Sequence, residues 1–298
     1  MNSWLGKADD YWFGPTRAEP LAAFRIACAV ALAAYFAHHA VAPAEWLGTS
    51  PLHLPAICAG ESIPWRYLQP VYIAPMSESL IGVMIGFFCL STLGLVLGWR
   101  SRFCAAFLCL WVAIVTYSDW IASFSINRSA VLVLAAMTFM PLDAAWSISR
   151  RDSKNPSPMI SAWSIRTLQW LLVTWYFASG IDKLRGGWHS DPYALWTQLQ
   201  GWYQTPLAWW VLQHVPRLLV SGLQLGVLTF ELTAWLLLIP PATRRIGVVI
   251  GVLVHLGIAM LMARLWMFSL YMLAFYTLFI VPERLRHGHN RAPEVAKP

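Results

Sequence analysis

Apolar residues run along this chain in long blocks separated by short polar or proline-rich breaks. Eight blocks stand out, at about residues 21–38, 79–98, 103–122, 127–141, 164–183, 218–239, 246–262 and 265–281. Most approach the roughly 20 residues an α-helix needs to cross a bilayer. The pattern predicts an all-α polytopic membrane protein with about eight transmembrane helices. Residues 1–20 read as an amphipathic lead-in carrying Trp4, Tyr11, Trp12 and Phe13. Residues 21–282 form the helix bundle, and 283–298 a short, basic, mobile tail. Between the first two blocks, Pro51, Pro55, Pro64, Pro70 and Pro75 break any long helix. A second long connection, 186–216, is rich in Trp and Tyr.

Composition agrees with this reading. Of the 298 residues, 58% are hydrophobic and 12% charged, where a soluble domain carries about 25% charge. The net charge of +7 resides in the short connections, where it sets orientation rather than attracting nucleic acid. With the N-terminus inside, fourteen of the 21 basic residues fall on inner segments, six on outer segments, and Arg25 within the first span. That asymmetry predicts both termini cytoplasmic. Asp9, Asp10 and Glu19 beside Lys7 and Arg17 spoil a secretion signal, so the first block is expected to be a retained span. Trp46, Trp99, Trp120, Trp146, Trp188 and Trp266 lie near span ends, as an interfacial belt requires.

Several chemistries are excluded. The five cysteines (Cys28, Cys58, Cys89, Cys104 and Cys109) form no Cys-x-x-Cys, so neither a disulfide framework nor a zinc site is expected. There is no phosphate-binding glycine loop, no His-Glu-x-x-His and no Gly-x-Ser-x-Gly, so no nucleotide, metal or serine-hydrolase chemistry is expected.

The residues that remain gather on the outer side: Asn127, Arg128, Lys183, His189, Asp191 and Arg264. Lys183 closes the fifth block in Trp175-Tyr-Phe-Ala-Ser-Gly-Ile-Asp-Lys-Leu-Arg-Gly-Gly-Trp188. Tyr176, Gly180 and Lys183 share one helix face, and Asp182 points elsewhere. Gly180 lets a neighbouring helix approach. In an apolar cleft the lysine would lose solvation, which favours a neutral amine able to act as general base. At the headgroups it would instead be an anchor. Glu231 and His255 fall at similar depth in neighbouring spans and are expected to pair as a structural hydrogen bond, or to serve as a proton relay or ligand contact. Arg25 is expected to snorkel or to meet an inner-loop acid. Asn127 is a candidate N-cap and Arg128 a fixed positive charge at the outer mouth. Arg264 and Trp266 read as interfacial anchors or site residues.

Short pieces of the chain, taken in order, resemble the HTTM domain, the membrane part of vitamin K-dependent gamma-carboxylase and its bacterial relatives. They are Leu21-Ala-Ala-Phe-Arg-Ile26, Gly94-Leu-Val-Leu-Gly-Trp-Arg-Ser-Arg102, Ser125-Ile-Asn-Arg-Ser129 and Phe139-Met-Pro-Leu-Asp-Ala-Ala-Trp-Ser147. Tyr176-Phe-Ala-Ser-Gly-Ile-Asp-Lys-Leu184 with Trp188, and His255 followed by Trp266-Met-Phe-Ser269, complete the set. The resemblance implies a multi-pass protein of a bacterial cytoplasmic membrane with its site on the extracytoplasmic side. It places Lys183 where the carboxylase keeps the base that deprotonates a reduced quinone, vitamin K-type or other, before reaction with oxygen. Asn127, Arg128, Tyr176, Trp188, His189, Asp191, Arg264 and Trp266 become candidates for binding quinol or substrate, supported from within by Arg25, Glu231 and His255. Two departures matter. Arg128 stands where the carboxylase has a functional histidine, and no large C-terminal region follows the last block. A small peptide or lipid substrate is therefore expected. The other reading the resemblance allows is a non-catalytic membrane component, acting with an operon-encoded partner in peptide export or maturation.

Overall fold

The computed structural model describes residues 4–41, 47–48, 76–118, 124–150 and 158–280. Helices occupy all eight apolar blocks: α2 (Glu19–Val41), α3 (Glu78–Leu97), α4 (Ser101–Ser118), α5 (Ser125–Met137), α6 (Trp163–Arg185), α9 (Arg217–Leu238), α10 (Arg244–Leu261) and α11 (Trp266–Ile280). Helix α1 (Trp4–Phe13) precedes them. The 186–216 connection is shorter on loop than expected, because it holds two small helices, α7 (Ala194–Leu199) and α8 (Pro206–His214). Among the described residues four helices, α2, α3, α9 and α10, are long and apolar enough to cross a bilayer; α4, α5 and α11 are shorter apolar helices. α6 has the length, at 23 residues, but Arg166, Gln169, Asp182 and Lys183 lower its hydropathy. The expected Cys58, the proline-rich loop, Trp46, Trp120 and the basic tail lie outside the described residues.

The core runs down the middle of the bundle. α2 is the most enclosed of the four spans, burying Leu21, Phe24, Cys28, Leu32 and Phe36 against its neighbours. The closest helix pairs are α2 with α11, α6 with α9, α4 with α5, and α10 with α11. A two-stranded antiparallel ladder, β1 (Pro15–Arg17) with β2 (Met159–Ser161), ties the entry of α2 to that of α6. Helix α1 is seated beside this ladder. Tyr11 of α1 accepts a hydrogen bond from Trp170 Nε1 at 3.0 Å and lies under the Arg166 guanidinium.

Arg25 does not snorkel. It is 0% exposed and turns inward, where Nη1 donates to the Leu142 carbonyl and Nη2 to the Trp146 carbonyl, both at 2.6 Å. The acid beside it is Asp143 in the turn after α5, 4.0 Å away, which also accepts from the Ser101 backbone N–H at 3.1 Å. One buried cation thus organises the turn after α5 and the start of α4. Replacing it strands the buried Leu142 carbonyl and the part-buried Trp146 carbonyl and removes the counter-charge of Asp143. Arg25→Met is expected to cost about 2–5 kcal/mol, read as a lower midpoint of thermal unfolding in detergent.

Candidate active site

The site is built by the way α6 ends. Gly186 caps the helix, and Gly187 takes φ +80°, a left-handed conformation that side-chain-bearing residues avoid. Gly187 N–H then bonds the Leu184 carbonyl at 3.2 Å and Trp188 N–H the Lys183 carbonyl at 3.0 Å. This paired closure satisfies the last free carbonyls of the helix and folds the chain back on its final turn. Trp188 is thereby returned over Lys183, with Nζ 5.3 Å from the ring centroid.

Helix α9 completes the site from the side. A Cβ on Gly180 would lie 2.9 Å from Leu232 Cδ2 and 3.2 Å from the Leu232 backbone nitrogen. Only a glycine lets the two helices come this close. Next to Leu232, Glu231 reaches Lys183 with both oxygens, at 2.7 Å each, and Ser179 Oγ stands 2.8 Å from Nζ. An ammonium has three donors, and here three acceptors meet them. The Lys183 and Glu231 side chains are 22% and 10% exposed, so the amine neither reaches bulk water freely nor stands alone.

This corrects one expectation. Glu231 does not pair with His255. The close approach at Gly180 brings Glu231 to Lys183, and His255 finds Tyr176 instead. Tyr176 Oη is 2.6 Å from His255 Nε2 and 2.7 Å from Tyr276 Oη, all three buried. Gly251 makes this triad possible, because a Cβ there would overlap the Tyr276 hydroxyl at 1.7 Å. His255 Nδ1 is buried and has no hydrogen-bond partner among the described residues.

Two cavities meet at the pair. One, of about 700 Å³, lies between α9 and α10 under α7 and is lined almost wholly by apolar groups such as Leu223, Val227, Phe230, Leu253 and Phe268. The other, of about 650 Å³, is more polar and is lined by Ser125, Arg128, Ser129, Tyr176, Asp182 and His255 among others. Lys183, Glu231 and Trp188 belong to the walls of both. Of the residues expected at the site, Arg128 and Tyr176 line the polar cavity, and Trp188 both.

The others fall elsewhere. Asn127 is buried, and its Oδ1 accepts from Tyr35 Oη at 2.6 Å and Phe124 N–H at 3.2 Å. The N-cap of α5 is Phe124, and Asn127 folds back onto it from the first turn. His189, Asp191 and Arg264 are exposed; among the described residues neither they nor Trp266 line either cavity. Arg25 lies in the turn cluster described above, away from both. Sequence reasoning passed over Ser179, Tyr276 and Gln224. Ser179 was within reach of it, one helical turn before Lys183 on the same face. Tyr276 was not, because its meeting with Tyr176 is set by the packing of α11.

The described residues thus define a helical membrane protein with an acid–base pair walled between two cavities. The chain belongs to the HTTM domain family, whose sequence profile matches residues 13–283; this is the family of vitamin K-dependent carboxylase-like proteins. No curated protein and no solved structure matches it.

The two partners of the pair should be strongly coupled. Lys183→Met leaves a largely enclosed carboxylate without its cation, and Glu231→Leu leaves the reverse. Each single variant is expected to be less stable than the double variant Lys183→Met/Glu231→Leu, with a coupling of about 1–3 kcal/mol in a double-mutant cycle of detergent unfolding.

Proposed function

We propose that this protein is a vitamin K-dependent gamma-carboxylase-like membrane enzyme that uses a reduced quinone and oxygen for proton abstraction or carboxylation. The site would face the extracytoplasmic side of a bacterial cell membrane. The observation that carries the reading is the Lys183–Glu231 pair in the wall common to an apolar and a polar cavity. Reduced quinone, when bound, would supply the electrons that convert oxygen into a base stronger than any side chain.

The residues present fit such a ligand. A volume of about 700 Å³ is within the range of small-molecule sites, which are mostly apolar with a few convergent polar groups. The two aromatic rings of Phe230 and Phe268 and the indole of Trp188 offer faces for a planar ring. On the polar side, the Lys183–Glu231 pair and Asp182 are the charged groups in the cavity wall that a bound hydroxyl would meet.

The pair, rather than a lone amine, is the base. Nζ donates to three acceptors, as an ammonium does, and an ammonium has no lone pair to offer. A hydroxyl proton entering from a cavity is taken by a carboxylate oxygen of Glu231, and the Lys183 ammonium, left without its counter-charge, faces the anion left behind. Ser179 Oγ holds the amine in line during the exchange. Trp188 keeps water from Nζ, and a dry site strengthens each of these interactions. Arg128 cannot take a proton, so its part is to attract an anionic substrate to the polar cavity. A small peptide or lipid, delivered with or without a partner protein, suits a cavity of this size.

A second reading has its own support. Saturated donors on Lys183 also describe a structural bolt between α6 and α9, which would suit a non-catalytic membrane component working with partners in peptide export or maturation. Oxygen uptake with reduced quinone in proteoliposomes separates the two. The enzyme reading expects wild-type uptake above background, with a loss of about a hundredfold or more in Lys183→Ala and in Glu231→Gln. It also expects Gly257→Leu, which projects into the apolar cavity, to raise KM for the quinol. Wild-type uptake equal to that of empty liposomes would leave the bolt.

A further inference from the structure

We propose that Gln224 is a positioning residue, and that its buried amide latches the 188–195 segment to α9 so that Trp188 is held as a lid over Lys183. The inference starts from a stripe on α9. Arg217, Ser221, Gln224, Leu228 and Glu231 recur at alternating spacings of four and three, so they share one face of the helix. The two lower members, Leu228 and Glu231, face the bundle; the three upper members all grip the connection that carries Trp188. Arg217 lies over the rings of Trp196 and Tyr193, at 5.1 and 5.8 Å. Ser221 Oγ donates to the Pro192 carbonyl at 2.6 Å.

Gln224 makes the decisive contacts. It is 1% exposed in a helix otherwise facing lipid and core, and a buried amide stays only where its groups are bonded. Nε2 donates to the Trp188 carbonyl at 2.6 Å and the Asp191 carbonyl at 2.7 Å, while Oε1 accepts from Leu195 N–H at 2.9 Å. Trp188 is therefore fixed on both sides of its Cα. Its N–H is held by the Lys183 carbonyl and its carbonyl by Gln224. With the backbone clamped at these two points, the Cα–Cβ bond is aimed at the end of α6, and the indole lies across Nζ. The same helix that supplies the carboxylate of the pair thus supplies the clamp for its cover, two turns further up. Trp188 is in the wall of both cavities, so release of the latch would open both.

The test reads the lid directly and does not require catalysis. The chain has four lysines, Lys7, Lys154, Lys183 and Lys297. Lys7 is exposed on α1 and serves as an internal standard. The full chain in detergent is treated with a water-soluble amine-acylating reagent, and the Lys183-to-Lys7 labelling ratio is measured by peptide mass spectrometry. Two variants are compared with wild type: Gln224→Leu, and the isosteric Gln224→Glu, which turns an oxygen toward two carbonyls. A thiol reagent reports global unfolding through Cys28, which is fully buried. The latch predicts a rise of about tenfold in the ratio for each variant, with Cys28 still protected. Trp188→Ala is expected to rise as much, and Gln224→Glu/Trp188→Ala no further, because both act through one cover. A wild-type ratio in Gln224→Glu, or effects that multiply in the double variant, would overturn the proposal. So would exposure of Cys28 in both Gln224 variants, which would make the amide a general structural bond. Where the quinol reading also holds, Gln224→Glu raises KM for the quinol with little change in kcat. A failure of that assay alone counts against the quinol reading and leaves the labelling result standing.

Discussion

The distance between α6 and α9 at Gly180 decides what the rest of this molecule can do. A methyl group there would press on the side chain and backbone of Leu232, and the helices would have to part. Glu231 would then withdraw from Lys183. A lysine without its carboxylate in this position would have to reach for water, and the two cavities would lose their common wall. The energetic logic is that of any enclosed ion pair: the cost of removing two charges from water is offset only when geometry and supporting hydrogen bonds are good. Here the bonds of Nζ to both carboxylate oxygens and to Ser179 meet that condition, and a missing Cβ is what permits them.

Much of this arrangement was legible in the chain, and the limits of legibility have physical causes. The eight apolar blocks give helices because length and composition act locally. The Gly180 approach and the Tyr176–Gly180–Lys183 face follow from helical periodicity, which is also local. Arg25 offered two courses, to the headgroups or to an acid, and periodicity could not choose between them. The choice depended on where the turn after α5 presents its carbonyls, a matter of tertiary packing. The Glu231 pairing was misjudged for a related reason. Depth in the membrane puts Glu231 level with His255, but depth does not fix rotation about the helix axis. Rotation is set by the closest neighbour, and for α9 that neighbour is α6. His189 and Asp191 illustrate the converse. Both are near Lys183 in sequence, yet the turn at Gly187 that brings Trp188 inward carries the following residues outward.

One signal lay in plain view. An apolar helix carrying Arg, Ser, Gln and Glu on a single face has a use for that face, because each polar group embedded among apolar neighbours must find a partner. Read with the heptad spacing, Gln224 points to the same side as Glu231. A residue bonded to a loop and a residue bonded to a lysine are then parts of one surface. The pattern was available from sequence, but the identity of the partners was not, since the connection they hold has no periodicity of its own.

The Arg128 departure from the carboxylase pattern gains meaning beside the pair. A histidine at the mouth of α5 could exchange protons with a substrate; an arginine cannot. Proton traffic must then be confined to groups that can carry it. Besides the Asp182 carboxylate, these are, in the wall of the polar cavity, the Lys183–Glu231 couple and the Tyr176 and His255 members of the triad. The triad is closed on itself at Tyr176 and leaves Nδ1 of His255 without a partner among the described residues. The couple is bonded on every donor of its amine. Under the proposed function, a proton arriving from a bound hydroxyl would find two kinds of destination in the couple and the triad. One is a charged pair that can share it at once; the other is a neutral chain that can hold it only by rearranging. Proton transfer there would favour the first, because an ion pair already present needs little reorganisation when the proton moves. The triad then serves best as the rigid side of the chamber, fixing Tyr176 one turn below Ser179 and so keeping Lys183 aimed at its carboxylate.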